Sequence, residues 1–353
     1  MAEFKPQGIY SENEGAKLIK AEILKVIDEQ VFSAGLDPVS DAIGYSMEVL
    51  EIPNGEFTSM LWTHSLDELG EFDQYPILNK EQGFTKGYKV SRRGWKIAIS
   101  KNLRKWIEAS TSSAKLSPTV KSELSKLARD TNTLINAAKL TKNEVATEVL
   151  TKGFSVTAAY GPGSATPDGV ALFSASHVIK ATGATQSNLV TGALSQVKLE
   201  EAIEKLRNMK DGIGRKMRRA SSYTLIVPSE LEATARKILN DGSKFASAVS
   251  DTETNNGVTS NIFQWDGFKI ELLVLDTLNQ PKKDGTLVGS ATQWFVLNKE
   301  AAREMGAFKY LSLYNEEMDM YLDNDTKVLY VDVDLSFTCD AYQPEVIVGS
   351  QWV

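Results

Sequence analysis

The longest regular pattern in the chain is an apolar stripe between residues 117 and 153. Its members recur at spacings of three, four and seven residues, which is typical of one face of an α-helix. They are Val120, Leu124, Leu127, Leu134, Ile135, Ala138, Val145 and Val149. Ser117 and Pro118 suit the start of a helix, and Gly153 suits its end in a left-handed conformation. At about 1.5 Å per residue this helix would run roughly 50 Å, so it must lie across a wide structure.

The stripe thins at Thr141, Lys142 and Asn143. Polar residues at this point interrupt the apolar face, so the helix could bend or stop there. We predict one long helix because both of its ends are marked. A helical hairpin inside an ordinary domain is the alternative.

Composition limits the class of protein. With 353 residues, of which 42% are hydrophobic and 24% charged, the chain can fill two or more globular domains. Its apolar runs are far shorter than the roughly 20 residues of a membrane span. Residues 1–10 lack the apolar core of a secretory signal, so we expect no membrane association and folding in the cytoplasm. The single cysteine, Cys339, excludes an intrachain disulfide and predicts a small core residue.

Net charge argues against a protein whose main task is to bind nucleic acid. The chain carries a net charge of -7, whereas nucleic-acid affinity depends largely on Lys and Arg. Basic residues nevertheless cluster in one region, without interleaved aromatic side chains for base stacking. They are Lys205, Arg207, Lys210, Arg215, Lys216, Arg218 and Arg219. We interpret this basic patch as a solvated or subunit-contact face, with a nucleic-acid surface as the alternative.

An amphipathic helix is predicted over residues 14–31. Its apolar face includes Leu18, Ile19, Ile23 and Ile27. Little in the next thirty residues could cover this face. We therefore expect it to pack on the long helix or on another copy of the protein.

A long β-hairpin, here called the ribbon, is predicted between residues 75 and 100. Its first strand is 75–78, its polar tip is 80–87 and its return begins at Tyr88; alternation then resumes with Trp95, Ile97 and Ile99 on one face. A two-stranded ribbon is marginally stable alone, so it needs a surface, which a neighbouring subunit would provide. The alternative is that it belongs to an internal sheet.

The second half of the chain reads as an α/β unit followed by a hairpin. Leu199, Ala202, Ile203 and Leu206 mark a helix, residues 222–227 a strand, and residues 268–275 and 293–297 further strands. Ser229 and Glu232 form a capping-box pattern at the start of another helix. Residues 318–322 and 328–339 flank a turn at 323–326, giving the second hairpin.

No catalytic, cofactor-binding or metal-ligating residues are predicted. His64 and His177 are the only histidines, and neither has metal-ligand spacing. The loop at 161–169 lacks the Lys-Ser or Lys-Thr of a phosphate loop, and Ser174 and Ser176 lack a nucleophile elbow. Asp323 and Asp325 fit turn chemistry better than a calcium loop. Carboxylate pairs in the α/β unit stay open as an enzymatic alternative.

The order of these parts resembles the major capsid protein of tailed bacteriophages, in the Hong Kong 97-type fold, and within it the head subunits of Mu-like phages. Short segments carry the resemblance. They are Asp168-Gly169, Leu172-Phe173-Ser174, His177, Asn188-Leu189, the strand-to-helix segment from Tyr223 to Ala235, and the Tyr-x-Pro-Glu-Val-Ile-Val run from Tyr342 to Val348. The resemblance implies an α+β fold.

The resemblance also implies a division of the chain. Residues 1–66 would be an N-terminal arm with the first peripheral-domain strand, 67–105 the extended loop, and 106–190 the peripheral domain with its spine helix at 117–153. Residues 191–315 would be the axial domain, 316–340 the peripheral-domain hairpin, and 341–353 a strand that returns to the axial domain.

Contacts between subunits follow from this division. The expected contact residues at the tip of the extended loop are Lys80, Glu81, Phe84, Lys86 and Tyr88. Those expected at the ribbon base and in the basic patch are Arg92, Arg93, Trp95, Arg215, Arg218 and Arg219. The arm would contribute Leu18, Ile19, Ile23 and Ile27.

The implied function is a virion shell protein, assembled in the host cytoplasm as hexamers and pentamers around double-stranded DNA. The short segment before the ribbon implies a separate scaffolding protein, or an arm that serves this role itself. A portal and decoration proteins are further expected partners, and no cofactor is expected. Alternatives are an encapsulin-type compartment and a soluble carboxylate-dependent enzyme.

Overall fold

A computed structural model describes residues 19, 21, 23, 38–60, 82–103, 105–106, 118–217, 220–240, 243–244, 259–260, 269–323 and 325–352. Helices and strands are both present, and the fold class is α+β, as predicted. The helices whose bounds are described are α1 (Pro38–Ile43), α2 (Pro118–Thr151), α3 (Gln196–Asn208), α4 (Ser229–Asn240) and α5 (Lys299–Met305). Residues 19, 21, 23, 101–103 and 105–106 are also helical. Two short 3-10 helices are Asp276–Asn279 and Pro344–Val346.

Fifteen strands complete the described part of the chain. The first seven are β1 (Ser46–Val49), β2 (Asn54–Met60), β3 (Gln82–Lys89), β4 (Ser91–Ile99), β5 (His177–Val178), β6 (Thr185–Gln186) and β7 (Leu189–Val190). The others are β8 (Ser222–Val227), β9 (Ser243–Lys244), β10 (Thr259–Ser260), β11 (Lys269–Val274), β12 (Trp294–Leu297), β13 (Phe308–Leu322), β14 (Leu329–Ala341) and β15 (Ile347–Ser350).

The predicted long helix is present as the single helix α2, 34 residues long. It does not break at residues 141–143, where two of the three polar side chains have partners and the Asn143 Oδ1 atom is buried with none among the described residues. Lys142 forms a buried ion pair with Glu316 of β13, and the Thr141 hydroxyl donates to the carbonyl of Ala137 (2.8 Å). The apolar side of α2 is therefore continuous, with one charge neutralised inside the core. Ser117 lies outside the described residues.

The end of α2 differs from the prediction. Gly153 is not in the left-handed conformation, and the helix stops at Thr151. The glycine is needed for space, since a Cβ there would lie 3.0 Å from the ring of Phe173. A close approach to Phe173, and not a left-handed backbone conformation, accounts for the glycine at this position.

One sheet has the strand order β1-β13-β14-β4, and α2 packs across β14 and β4. Over residues 329–335 of β14, buried side chains alternate with half-buried ones, whereas residues 336–341 are all buried and Cys339, predicted to be a small core residue, is fully enclosed. The hairpin is longer than predicted, because β13 begins at Phe308. The expected boundary near residue 315 therefore falls inside this strand.

The hairpin turn follows the predicted turn chemistry. The Asp323 carboxylate accepts from the Asp325 N–H (3.0 Å) and from the Thr326 hydroxyl (2.6 Å). These bonds close the turn by an Asx-type pattern.

A five-stranded sheet with the order β11-β8-β12-β15-β7 forms the α/β unit. Both of its faces are buried. Trp294 and Val296 of β12 pack toward α3 and α4, whereas Phe295 and Leu297 join the core that contains α2 and the long hairpin. This sheet therefore links the two halves of the fold, and β15, near the C-terminus, lies within it.

Two further predictions are wrong. The capping box at α4 does not form: Ser229 is already within the helix, its hydroxyl lies 3.4 Å from Glu230, and the Glu232 carboxylate accepts from Arg236 (2.7 Å). Proline 228 occupies the position before the helix, and its carbonyl accepts from the Leu231 N–H (3.1 Å).

The ribbon also pairs differently. Residues 82–89 form a strand, not a tip, and β3 pairs with β2. β4 pairs with β14 instead of turning back on the ribbon, so the alternative of an internal sheet holds for residues 91–99. The segment from 71 to 81 lies outside the described residues.

Candidate functional site

The described part of the ribbon next to β4, here called its root, is the end of β3, and a buried ion pair holds it. The Lys86 ammonium lies 2.6 Å from the Asp340 carboxylate and donates to the carbonyl of Ala341 (2.9 Å). The same carboxylate accepts from the Ser164 hydroxyl (3.1 Å) and from the Ala341 N–H (2.8 Å). Burial raises the pKa of Asp340 and lowers that of Lys86, and each charge offsets this penalty on the other. β3 is thus tied to the end of β14.

Aromatic packing reinforces this root. The ring of Phe57 on β2 lies 4.9 Å from that of Tyr88 and 5.7 Å from that of Tyr342. Gly55 allows the Tyr88 ring to cross β2, since a Cβ there would lie 2.7 Å from the phenolic oxygen. The Lys309 ammonium sits 4.1 Å from the centre of the Phe57 ring, a cation–π contact. The root is therefore both apolar and charge-paired.

A third set of contacts holds β3 from the side. The Lys180 ammonium donates to the carbonyl of Gly83 (2.8 Å) and lies 4.8 Å from the ring centre of Phe84. Tyr160 approaches Gly87 so closely that a Cβ on the glycine would be 3.1 Å from its ring. The described part of the ribbon is thus docked on its own subunit.

These contacts correct the placement of the predicted loop tip. Lys86 and Tyr88 are buried within the chain, and Phe84 is half-buried beside Lys180. Lys80 and Glu81 lie outside the described residues. A lysine in a polar stretch suggested exposure, but Asp340, far away in sequence, provides the counter-charge that allows burial.

The predicted residues of the ribbon base lie together on β4. Arg92 is exposed and pairs with Asp334 (2.6 Å), whereas Arg93 donates to the carbonyl of Phe337 (2.9 Å) and stacks over its ring. Trp95 leaves 53% of its surface exposed, with the Lys283 ammonium 5.1 Å from its ring centre. Arg93 is used inside the subunit, so the exposed parts of Arg92 and Trp95 are the surface that these residues present to solvent.

The basic patch is partly neutralised by its own surroundings. Lys205 donates to the carbonyl of Leu189 (2.6 Å), Lys216 donates to Asn208 (2.9 Å), and Arg215 lies 3.9 Å from Asp211. Arg218 and Arg219 lie outside the described residues. The described members form a solvated face rather than a row of unpaired cations.

The N-terminal arm is covered by the same subunit where it is described. Ile19 and Ile23 are fully buried in the core that includes Leu124 and Leu127 of α2. The expected alternative, packing on another copy, is not needed for these two side chains. Leu18 and Ile27 lie outside the described residues.

Several of the short segments that carry the resemblance meet in one buried polar cluster. His177 Nδ1 lies 2.8 Å from Asp168 and its Nε2 lies 3.1 Å from the carbonyl of Leu172. The Asn188 amide donates to the carbonyls of Leu172 (2.7 Å) and Pro344 (3.1 Å). Asp168 and His177 were both named from the sequence, but their pairing was not predicted.

The described residues contain no group of three or more His, Cys, Asp or Glu side chains arranged to hold a metal ion. In the same part of the chain, none of the helices combines the length and the apolarity that crossing a bilayer requires. His177 is buried, and its partners among the described residues are Asp168 and the carbonyl of Leu172, not a serine or a cysteine.

Comparison with known proteins identifies the family. A family model described as "Phage capsid protein" matches residues 120–341, from the first turn of α2 to the end of β14 and well over half of the chain. No curated protein matches the sequence.

Solved structures give more distant likenesses. The capsid of the cyanophage P-SCSP1u is 9% identical, with a TM-score of 0.48 over 92% of this chain and 90% of that one. The capsid of Ralstonia phage GP4 is also 9% identical, with a TM-score of 0.47 over 87% and 86%. A chain of Mycobacterium phage Patience is 12% identical, with a TM-score of 0.46 over 99% and 90%. On the strength of the family match, this chain belongs to the phage capsid protein family.

Proposed function

We propose that the protein is the major capsid protein of a tailed bacteriophage and that its copies form the icosahedral head around double-stranded DNA. The observation that carries this proposal is the family match from α2 through β14, which covers the long helix, the α/β unit and the long hairpin. Mu-like head subunits are the relatives that the short segments favour.

Interfaces would perform the work of such a protein. The β2–β3 pair leads directly into β4 of the four-stranded sheet, and the exposed side chains of Trp95 and Arg92 lie on β4. A copy that presents this surface to one neighbour and receives another copy on a different face makes a heterologous contact, which closes into rings. Hexamers and pentamers are the rings that an icosahedral head needs.

The further partners follow from the same proposal. A separate scaffolding protein, a portal and decoration proteins would complete the head, with assembly in the host cytoplasm and the final location in the virion. The net charge of -7 suits a wall that lies near packaged DNA without binding it tightly. The carboxylates of the α/β unit would then have no catalytic task.

The test is expression of the chain with and without a scaffolding protein from the same genome. Sedimentation and negative-stain electron microscopy should reveal capsomers or closed shells. DNA-packaging proteins in the particles would support a phage head, whereas a cargo enzyme would support the encapsulin-type alternative. A protein that stays a monomer or dimer at high concentration in both preparations would contradict a shell.

A further inference from the structure

A short loop of the α/β unit reaches out of that unit onto α2 and β4. It is the segment 280–289, between the 3-10 helix Asp276–Asn279 and β12, and is here called the strap. The loop folds back on itself, since the Lys282 N–H donates to the carbonyl of Thr286 (2.7 Å). Gly285 has a φ of 80°, a conformation that favours glycine and closes the turn. The strap is therefore a small loop with its own internal hydrogen bonding.

The base of the strap is fixed to the end of α2 by buried contacts. The Thr151 hydroxyl donates to the carbonyl of Val288 (2.7 Å), and the Gln293 amide donates to the carbonyl of Thr151 (3.3 Å). One turn earlier on α2, the Thr147 hydroxyl is hydrogen-bonded to that of Thr277 (2.8 Å). All five residues are buried. The base is therefore part of the packed interior of the subunit.

The tip of the strap, residues 282–287, is held differently. Lys282 is half-buried, and the other residues of the tip are exposed. Two consecutive lysines contact two different elements. Lys282 forms an ion pair with Glu148 of α2, and the Lys283 ammonium lies 5.1 Å from the ring centre of Trp95 on β4. Charge contacts near a protein surface are individually weak, so the tip can leave α2 and β4 while the base stays in place.

The ion pair that holds the tip to α2 is one that can open at low cost. Its carboxylate, Glu148, also accepts a hydrogen bond from Lys152, one turn later on the same helix (2.8 Å). Breaking a buried ion pair is costly mainly because it leaves a charge without a partner. When Lys282 leaves, Glu148 keeps Lys152. This pair therefore differs from Lys142–Glu316, in which both side chains are almost fully buried.

Lys283 lies over a large aromatic side chain at the edge of the four-stranded sheet. Trp95 belongs to β4, an edge strand in the described sheet, and 53% of its surface is exposed. A lysine placed over an aromatic ring lays its apolar stem along the ring and its ammonium over the ring face. A partner that uses this face of Trp95 must therefore displace Lys283 first.

We propose that the tip of the strap is a displaceable cover on Trp95, held to α2 by Lys282, and that association through Trp95 requires the tip to lift. The partner, a second copy of this chain, rests on the proposed shell function; the cover itself does not. A surface that is open in only a fraction of free subunits binds with an affinity lowered by that fraction. Two weak surface contacts would lower the apparent affinity about threefold. The cover therefore delays association without preventing it.

Fluorescence quenching by acrylamide, a neutral molecule, tests the cover on unassembled subunits. The chain has six tryptophans, so the Trp95 signal is the difference between each protein and the same protein carrying Trp95→Phe. Quenching of Trp95 should rise about 1.5-fold in Lys283→Ala, because the ring loses the lysine stem. It should stay near wild type in Lys283→Arg, which keeps the cation, and in Lys269→Ala, which removes an exposed lysine of β11. Equal Trp95 quenching in Lys283→Ala and wild type would overturn the proposal.

Assembly of the same proteins tests the consequence of the cover. The subunit concentration needed for assembly, measured by sedimentation, should fall about threefold in Lys283→Ala and stay unchanged in Lys269→Ala. An unchanged or higher concentration in Lys283→Ala would overturn the proposal, because Lys283 would then be neutral or part of the contact. If wild type and Lys283→Ala both fail to assemble while the quenching of Trp95 rises as expected, the shell function is contradicted and the cover is supported.

Discussion

The Lys86 ammonium and the Asp340 carboxylate lie 2.6 Å apart, so the ribbon and the end of β14 share a buried charge pair. Their side chains are only 7% and 2% exposed, which leaves no room for solvent to replace a lost partner. Loss of either residue would therefore leave the other as an unpaired charge inside the protein.

Replacement of Lys86 by Met should destabilise the subunit by about 3 kcal/mol, because Asp340 loses its counter-charge inside the protein. Urea unfolding of the purified subunit measures the change. Lys89→Met is the matched control, since Lys89 is an exposed lysine on the same strand; it should change stability by less than about 0.5 kcal/mol. Equal losses of stability in Lys86→Met and Lys89→Met would argue against a stabilising role for the Lys86–Asp340 pair. Adding Asp340→Asn to Lys86→Met should recover part of the loss.

Lys142→Met should have a similarly large effect, about 3 kcal/mol, because Glu316 would stay buried without its partner. Thermal unfolding measures the loss, and limited proteolysis should reveal new cleavage near the middle of α2. The exposed Lys139, on the same helix, gives the control variant Lys139→Met. An intact, equally stable helix in Lys142→Met would contradict the role assigned to this pair.

Gly349→Ala should disturb the core where β15 meets Phe173. A Cβ at this position would lie 2.6 Å from the Phe173 ring, which is itself stacked on Phe295 at 5.3 Å. Overpacking of this kind costs about 1–3 kcal/mol, to be read from the unfolding midpoint. The double variant Gly349→Ala with Phe173→Leu should be more stable than additive losses predict; simple additivity would count against the steric cause.

Trp95→Ser should separate assembly from folding. The side chain is 53% exposed, so we expect its loss to change subunit stability by less than about 0.5 kcal/mol. If Trp95 anchors a subunit contact, the concentration needed for assembly should rise by about tenfold or more, as sedimentation would measure. Trp95→Phe, which keeps an aromatic ring, should assemble more nearly as wild type does. Normal assembly by Trp95→Ser would show that Trp95 is not an anchor of the subunit contact.

Local sequence patterns were sufficient to predict the helices and strands whose apolar residues recur at regular intervals. Helix α2 was predicted because its stripe repeats over many turns, and strand β8 was predicted with its bounds because apolar residues lie between Ser222 and Pro228. The first strand of the long hairpin was predicted too short. Register shifts between Ser312 and Glu317 interrupt its alternation, so only the regular end of β13 was visible.

Pairings between distant residues could not be read from the sequence. Lys86 meets Asp340 across 254 positions, and β3 pairs with residues that precede it by about thirty positions, not by ten. For the same reason, the sequence indicated the residues of the polar cluster at His177 but not the contacts between them. Its short segments were recognised one by one, but the fold alone brings Asn188 to Pro344.

The junction of β3 and β4 has a mechanical consequence. Val90 alone separates the two strands, so a pull along the ribbon passes directly into the nine-residue ladder between β4 and β14. Force applied along a strand loads its ladder in shear, and all of its hydrogen bonds resist together instead of opening one after another. A load applied along β3 would therefore be carried by the whole β4–β14 ladder at once, and this junction should be among the last parts of the subunit to unfold under tension.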